Sequence, residues 1–266
     1  MTTVLFLLKD NDVEGAEDLR LSLRSLDHAF PDDDMRVAVS TAVAPPWFTG
    51  VHVRARDIPG LGKHWSMMDK VRAAIRTLGL AEPFLLSSDD HIAPLEPPCR
   101  VVEWPYLARR TPLDRFLARG ESCDRCDKLW YASVGWARRR IRAFSGCEPT
   151  QLLMNPHRNS WIDPACLPAV DGCFPTPSSP PSDGAAWRGP SPDDAFGALA
   201  IAGGLVDERC YLKVRDVKTS SAPDFFRAYL SDEPPGRYGC SIPPGARAVR
   251  EPLWRIFRRP SRWERA

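Results

Sequence analysis

The first ninety residues switch repeatedly between two hydrophobic periods. Residues 3–9 carry the apolar run Val4, Leu5, Phe6, Leu7, Leu8 and end on the polar group Lys9, Asp10, Asn11, Asp12. A short, unbroken, β-prone run predicts a strand buried on both faces. Over 17–30, Leu19, Leu23, Leu26 and Phe30 recur at three- and four-residue steps, which predicts an amphipathic helix. Pro31 and the acids Asp32, Asp33 and Asp34 stop it. Residues 35–40 read as a second strand, with Val37 and Val39 on one face, and 51–58 as a third, with Val51, Val53 and Ala55 alternating. Pro45-Pro46-Trp47 is a rigid turn between them, and Gly60-Leu61-Gly62 a hinge-like loop. Residues 65–80 predict a second helix with Met68, Val71, Ile75 and Leu78 inward. Residues 83–86 predict a fourth strand running into Ser87-Ser88-Asp89-Asp90-His91.

Strands alternating with helices predict an α/β fold: a Rossmann-like, mostly parallel sheet flanked by helices. Ligands of such sheets bind beyond the carboxyl ends of the strands. The polar groups 9–12 and 89–91 both sit at such ends. The second half is less regular. A helix is predicted over 126–144, with Leu129, Val134, Trp136 and Ile141 apolar and Arg138, Arg139 and Arg140 exposed. Residues 164–192 contain eight prolines, the composition of a loop or linker. A short helix over 193–201, a strand over 211–217, a helix over 223–230 and an Arg- and Trp-bearing tail complete the chain. The expected organisation is a single domain over 1–266, with a regular half at 1–98 and an irregular half at 99–266 that contains the Pro-rich stretch 164–192.

Composition narrows the class. Of 266 residues, 43% are hydrophobic, and nine Trp with eleven Phe exclude wholesale disorder. No run approaches the eighteen apolar residues of a membrane span. The first residues lack a basic leader and a cleavage site, so they read as a core strand and the expected compartment is the cytoplasm. The net charge of +2 does not by itself demand nucleic acid, and leaves room for a local basic patch. Eight cysteines without an export signal suit free thiols. Cys123 and Cys126 form one C-x-x-C pair, half of a structural zinc set, and no second pair follows.

Four groups carry candidate chemistry. Asp89 and Asp90 follow a buried strand; adjacent carboxylates in a partly desolvated crevice are costly, and a hard dication such as Mg²⁺ or Mn²⁺ relieves that cost. A solvated turn is the plain alternative. Arg20 and Arg24 share a helix face at i,i+4 and fit either phosphates or the neighbouring Glu17 and Asp18. Lys63 and His64 precede a helix whose N–H groups attract anions, with Lys70 about one turn further in, where the plain reading puts it on the surface. His157, in Asn155-Pro156-His157-Arg158, is either a third metal ligand or a structural loop residue.

These groups also resemble a known family. The helix at 17–26, the Pro46-Trp47 turn, the Lys63-His64 element and the strand ending in Ser88-Asp89-Asp90 resemble, in that order, the phage and bacterial nucleotide-sugar glycosyltransferases of GT-A-like fold. The layout is also similar to that of the Stealth-type sugar-1-phosphate transferases. The likeness covers roughly residues 3–95, with fragments at 155–157, 216–218 and 257–264. It implies a UDP- or GDP-sugar donor and a divalent cation. Asp90 would be the principal metal ligand and Asp89 a ribose or metal-water contact. Arg20, Arg24 and Lys63 would serve the diphosphate, and Lys9 or Asp10 the nucleoside. His157 is the implied further ligand and Asp216 the candidate base. The expected acceptor is a hydroxyl, either of a hydroxymethylated pyrimidine in phage DNA or of an envelope glycan. For DNA, Arg138, Arg139, Arg140 and the tail arginines would meet phosphates while Trp136 stacks on a base. Arginines in solvent and tryptophans in the core are the plain alternative.

Overall fold

The computed structural model describes residues 1–108, 111–120, 125–147, 151–152, 159–213, 221–231, 239–242 and 246–265. In chain order the first half comprises β1 (Thr2–Leu7), α1 (Val13–Ala29), β2 (Met35–Thr41), β3 (Val51–Arg54), α2 (Lys63–Leu78), β4 (Phe84–Ser87) and β5 (His91–Ile92). After β6 (Leu107–Ala108) and β7 (Thr111–Pro112) come α3 (Leu113–Gly120), α4 (Arg125–Ser145), β8 (Gln151–Leu152) and β9 (Ser160–Ile162). The remainder is α5 (Leu167–Cys173), α6 (Gly184–Arg188), α7 (Pro192–Ala202), β10 (Leu212–Lys213), α8 (Ala222–Tyr229), β11 (Cys240–Ser241) and α9 (Arg247–Ile256).

The main sheet has the order β3-β2-β1-β4-β9. Its first four strands are parallel, and β9 closes the edge antiparallel to β4. The alternation within β1 explains why both faces must be covered. Leu5 points into a cluster with Met68 and Val71 of α2, Ile141 of α4 and Phe196 of α7. Val4 and Phe6 point to the other face, against Leu19, Leu23 and Leu26 of α1 and Trp263 of the tail. The two crossover helices thus lie on opposite faces, and the strand order reverses between β1 and β4. Ligands of open parallel sheets bind at such a reversal, beyond the carboxyl ends of the strands.

The expected α/β fold with a mostly parallel sheet is what the chain adopts, and α1, α2, β1, β2 and β4 fall within a few residues of their expected places. The third strand is shorter than its pattern. It ends at Arg54, because Asp57 turns back to bond with Asp10.

The Pro-rich stretch 164–192 is a correction: it is built structure and not a linker. Asp163 caps a short turn at Pro164–Cys166, α5 follows, and Asp183 caps α6. The prolines at 164, 168 and 192 occupy the first turns of helical segments, where no N–H is needed. Buried Arg72 of α2 holds the stretch in place through Asp171 (2.7 Å), Thr176 (3.0 Å) and the Phe174 carbonyl (2.5 Å).

A second correction concerns α4. Arg138 lies inside the protein, its side chain 1% exposed, and forks onto Asp194 of α7 at 2.7 and 3.1 Å. The helical period carries residue 138 to the same inward face as Val134 and Ile141. Replacing Asp194 by Ala removes the carboxylate that pairs with this buried guanidinium, which should lower the unfolding free energy by about 3–5 kcal/mol in urea titration.

Candidate functional site

The carboxyl edge of the sheet carries two groups of acids, and they differ in how their charge is met. The first follows β1 and β3. Asp10 accepts hydrogen bonds from the Ala42 N–H (3.0 Å) and the Asp57 N–H (2.8 Å), and its own N–H donates to Asp57 (3.0 Å). Between the two carboxylates sits the buried Lys70 ammonium, which donates to Asp57 (2.6 Å), Asp10 (3.2 Å) and the Leu8 carbonyl (2.8 Å). Burial pushes the Asp10 pKa up, but the two N–H donors and Lys70 outweigh it and hold the carboxyl below its ordinary value. Asn11, next in the chain, takes a left-handed conformation with φ 59°, which turns the chain out of β1 toward α1. Lys9 is exposed at this rim.

The second group follows β4. Ser88 to His91 form a turn closed by the His91 N–H on the Ser88 carbonyl (3.2 Å). The Ser88 hydroxyl donates to Asp90 at 2.5 Å, and the Asp90 carbonyl accepts the Ile242 N–H at 2.8 Å. From α1, the Ser22 hydroxyl donates to the Asp89 carbonyl (2.5 Å), while Ser25 accepts the Ala93 N–H (2.9 Å). Two small hydroxyl residues one turn apart thus set the turn against the helix. Behind it, His91 is buried in β5, which pairs antiparallel with β11. Gly239 allows that pairing: its φ is 83°, and a Cβ there would lie 2.3 Å from the Ile92 carbonyl and 2.7 Å from the His91 ring.

Asp89 feels this crowding most. Burial first, then Asp90, Asp18 and Asp12, raise its pKa from 3.8 to about 7. Carboxylates from the β1–α1 loop, α1 and the β4 turn itself therefore act together on Asp89. Asp18 is met by Arg250 of α9 at 2.6 and 2.8 Å. Sequence reasoning missed Asp57, Asp18 and the inward reach of Lys70. The signal in the helical period is that Lys70 lies one turn from Ser66 and Ala74, both small and buried.

The remaining expected residues are dispersed. Arg20 and Arg24 both grip Glu264 of the tail: Arg20 at 2.5 Å and Arg24 through two bonds of 2.9 Å. Arg24 also donates to the carbonyls of Phe257 and Arg258. Burial works against the Glu264 charge, but Arg24 and Arg20 outweigh it and keep its pKa low. Lys63 is exposed at the first position of α2. His64 is buried and held neutral, its pKa lowered to about 3 by burial and by Lys63 and Arg188, with Nδ1 donating to the Gly189 carbonyl. Trp136 packs against Trp65 and Phe174, and Arg140 donates to the Cys173 carbonyl, so of the proposed DNA-facing group Arg139 is left as an exposed side chain that no such bond holds inward. His157, Asp216 and Cys123 lie outside the described residues, as does the side chain of Cys126.

Oxygen donors from two adjacent aspartates suit a hard dication that keeps open positions for phosphate oxygens. Among the described residues no set of three or more His, Cys, Asp or Glu side chains is arranged to hold a metal ion. A cation at Asp89 and Asp90 would draw its other ligands from substrate and water. No helix among the described residues is long and apolar enough to cross a membrane.

Two predictions follow from the two acid groups. Lys70→Met should lower the unfolding free energy by about 3–5 kcal/mol in urea titration, because Asp10 and Asp57 then face each other without the ammonium. Asp89 binds its proton more tightly in the folded protein than in the unfolded chain. Its contribution to stability is present below about pH 4 and lost as pH rises through about 7. Asp89→Asn should therefore be more stable than the parent at pH 8, by roughly 2–4 kcal/mol, and equal to it at pH 4; thermal melts across that range check the sign. No family model matches the chain, and no curated protein matches it either.

Proposed function

We propose that this protein is a divalent-metal-dependent glycosyltransferase with a GT-A-like sheet, moving a sugar from a UDP- or GDP-sugar to a hydroxyl acceptor. The observation that carries the reading is the Asp89–Asp90 turn at the carboxyl end of β4, beside β1, where the strand order reverses. Crevices at that point of a parallel sheet are where nucleotides bind. Carboxylates forced together there, with Asp89 pushed up to about pH 7, favour a partner of charge +2.

In this reading Asp90, oriented by the Ser88 hydroxyl, is the principal metal ligand, and Asp89 holds a metal-bound water or the donor ribose. A bound Mg²⁺ or Mn²⁺ supplies charge neutralisation for the diphosphate as the glycosidic bond breaks. Of the expected phosphate-binding set, Lys63, exposed at the N-terminus of α2, is the member not tied to the tail. Asp10 and Lys70 fix the loops at this edge. Arg20 and Arg24 receive no phosphate role, since Glu264 occupies them. DNA is not the acceptor argued for, because Arg138 and Trp136 are built into the interior.

Thermal shift with Mn²⁺ and a panel of nucleotides tests the proposal. Melting temperature should rise for UDP or GDP only when Mn²⁺ is present, by the equivalent of about 2.7 kcal/mol at a hundredfold excess over Kd. Asp90→Asn should abolish that rise. Incubation with the matching sugar nucleotide should release nucleoside diphosphate; release of monophosphate would point to sugar-phosphate transfer. Metal-independent stabilisation, or an Asp90→Asn protein that responds like the parent, would overturn the reading.

A further inference from the structure

The C-terminal segment concentrates positive charge. Residues 246–265 hold seven arginines and two glutamates, while the whole chain carries only +2, so the rest of the chain is net acidic. Four acids in or beside this segment are already engaged. Glu251 pairs with Arg247, Asp18 with Arg250, Asp27 with Arg262, and Glu264 with Arg20 and Arg24. Arg255, Arg258 and Arg259 are exposed, and no carboxylate among the described residues pairs with their guanidinium groups.

These three arginines flank an exposed apolar side chain in the sequence. Ile256, between Arg255 and Arg258, is 41% exposed, and Trp254 beside it is only half-buried under Arg24. Their backbone is firmly placed. Phe257 is buried, its N–H bonds the Leu253 carbonyl, and Arg24 holds the carbonyls of Phe257 and Arg258. Arg24 lies about 9 Å further along α1 than Asp18. The patch is therefore displaced from the acidic turn toward the far end of that helix.

We infer that the patch formed by Arg255, Ile256, Arg258 and Arg259 is a docking surface for an anionic lipid bilayer. Guanidinium forks match phosphate oxygens. An aliphatic side chain set among them suits the boundary between headgroups and acyl chains, whereas a phosphate backbone offers it nothing. A nucleic-acid groove would also need a longer cationic track than three unpaired side chains. Binding of this kind is peripheral and reversible, and it is independent of the proposed sugar transfer.

Co-sedimentation of the full chain with vesicles tests the assignment. Protein should sediment with phosphatidylcholine–phosphatidylglycerol vesicles, remain in solution with phosphatidylcholine alone, and be released at about 0.5 M NaCl. The triple variant Arg255→Glu, Arg258→Glu, Arg259→Glu should lose roughly 100-fold in partitioning. Ile256→Ser, which keeps every charge, should weaken it by a smaller factor, and unchanged melting temperatures establish that both variants fold. Equal binding to neutral and anionic vesicles would overturn the proposal. So would a triple variant that binds like the parent, or retention on duplex DNA with no vesicle binding.

Discussion

One buried ammonium organises the carboxyl edge of the main sheet. Lys70 reaches out of α2 to the end of β1 and to the segment after β3, while Asp10 carries the link on to the chain after β2. An isolated charge at that depth would be expensive. Three acceptors at 2.6–3.2 Å make it tenable, and in return the loops that leave three parallel strands are fixed relative to one another. Without that tie each loop would depend on its own turn chemistry. The carboxyl edge beside β1 would then have no defined wall.

The contrast with the neighbouring acids gives the edge its chemical direction. Asp10 and Asp57 have their cation built in, and the Asp10 pKa is low. Asp89 sits a strand away with carboxylates as its main charged neighbours, and its pKa is high. The fold thus meets one pair of acids with a lysine and builds, at Asp89, a region where burial and neighbouring carboxylates disfavour charge. Such a region costs stability, which is the usual condition of a site shaped for a ligand. It is the physical reason for reading the β4 turn, and not the β1 loop, as the place where a dication and a diphosphate would meet.

The elements that were legible in the sequence are those whose burial is decided locally. β1 is apolar throughout because both its faces are covered, and α1 shows its stripe because one face packs on the sheet. The position of Asp89 and Asp90 just past a buried strand was legible for the same reason. What was hidden depends on distant partners. Arg20 and Arg24 read as a phosphate fork, but the carboxylate that takes them is 240 residues or more away. Arg138 reads like its neighbours Arg139 and Arg140 until Asp194 is brought against it. Proline content suggested a linker at 164–192, whereas the anchors that fold the stretch onto α2 come from Arg72.

The tail shows how pairing decides what an arginine does. Along α1, Asp18, Asp27 and the Arg20–Arg24 pair face Arg250, Arg262 and Glu264 in turn, so the last twenty residues are fastened to the helix by complementary charge on a buried anchor, Trp263. This fastening also covers the outer side of α1, whose inner side meets the sheet. The helix that supplies Ser22 to the acidic turn is therefore held from both directions. Arg255, Arg258 and Arg259 take no part in this attachment among the described residues. Their solvation in the free protein is undisturbed, and the only energy left to gain from them is with an anionic partner outside the chain.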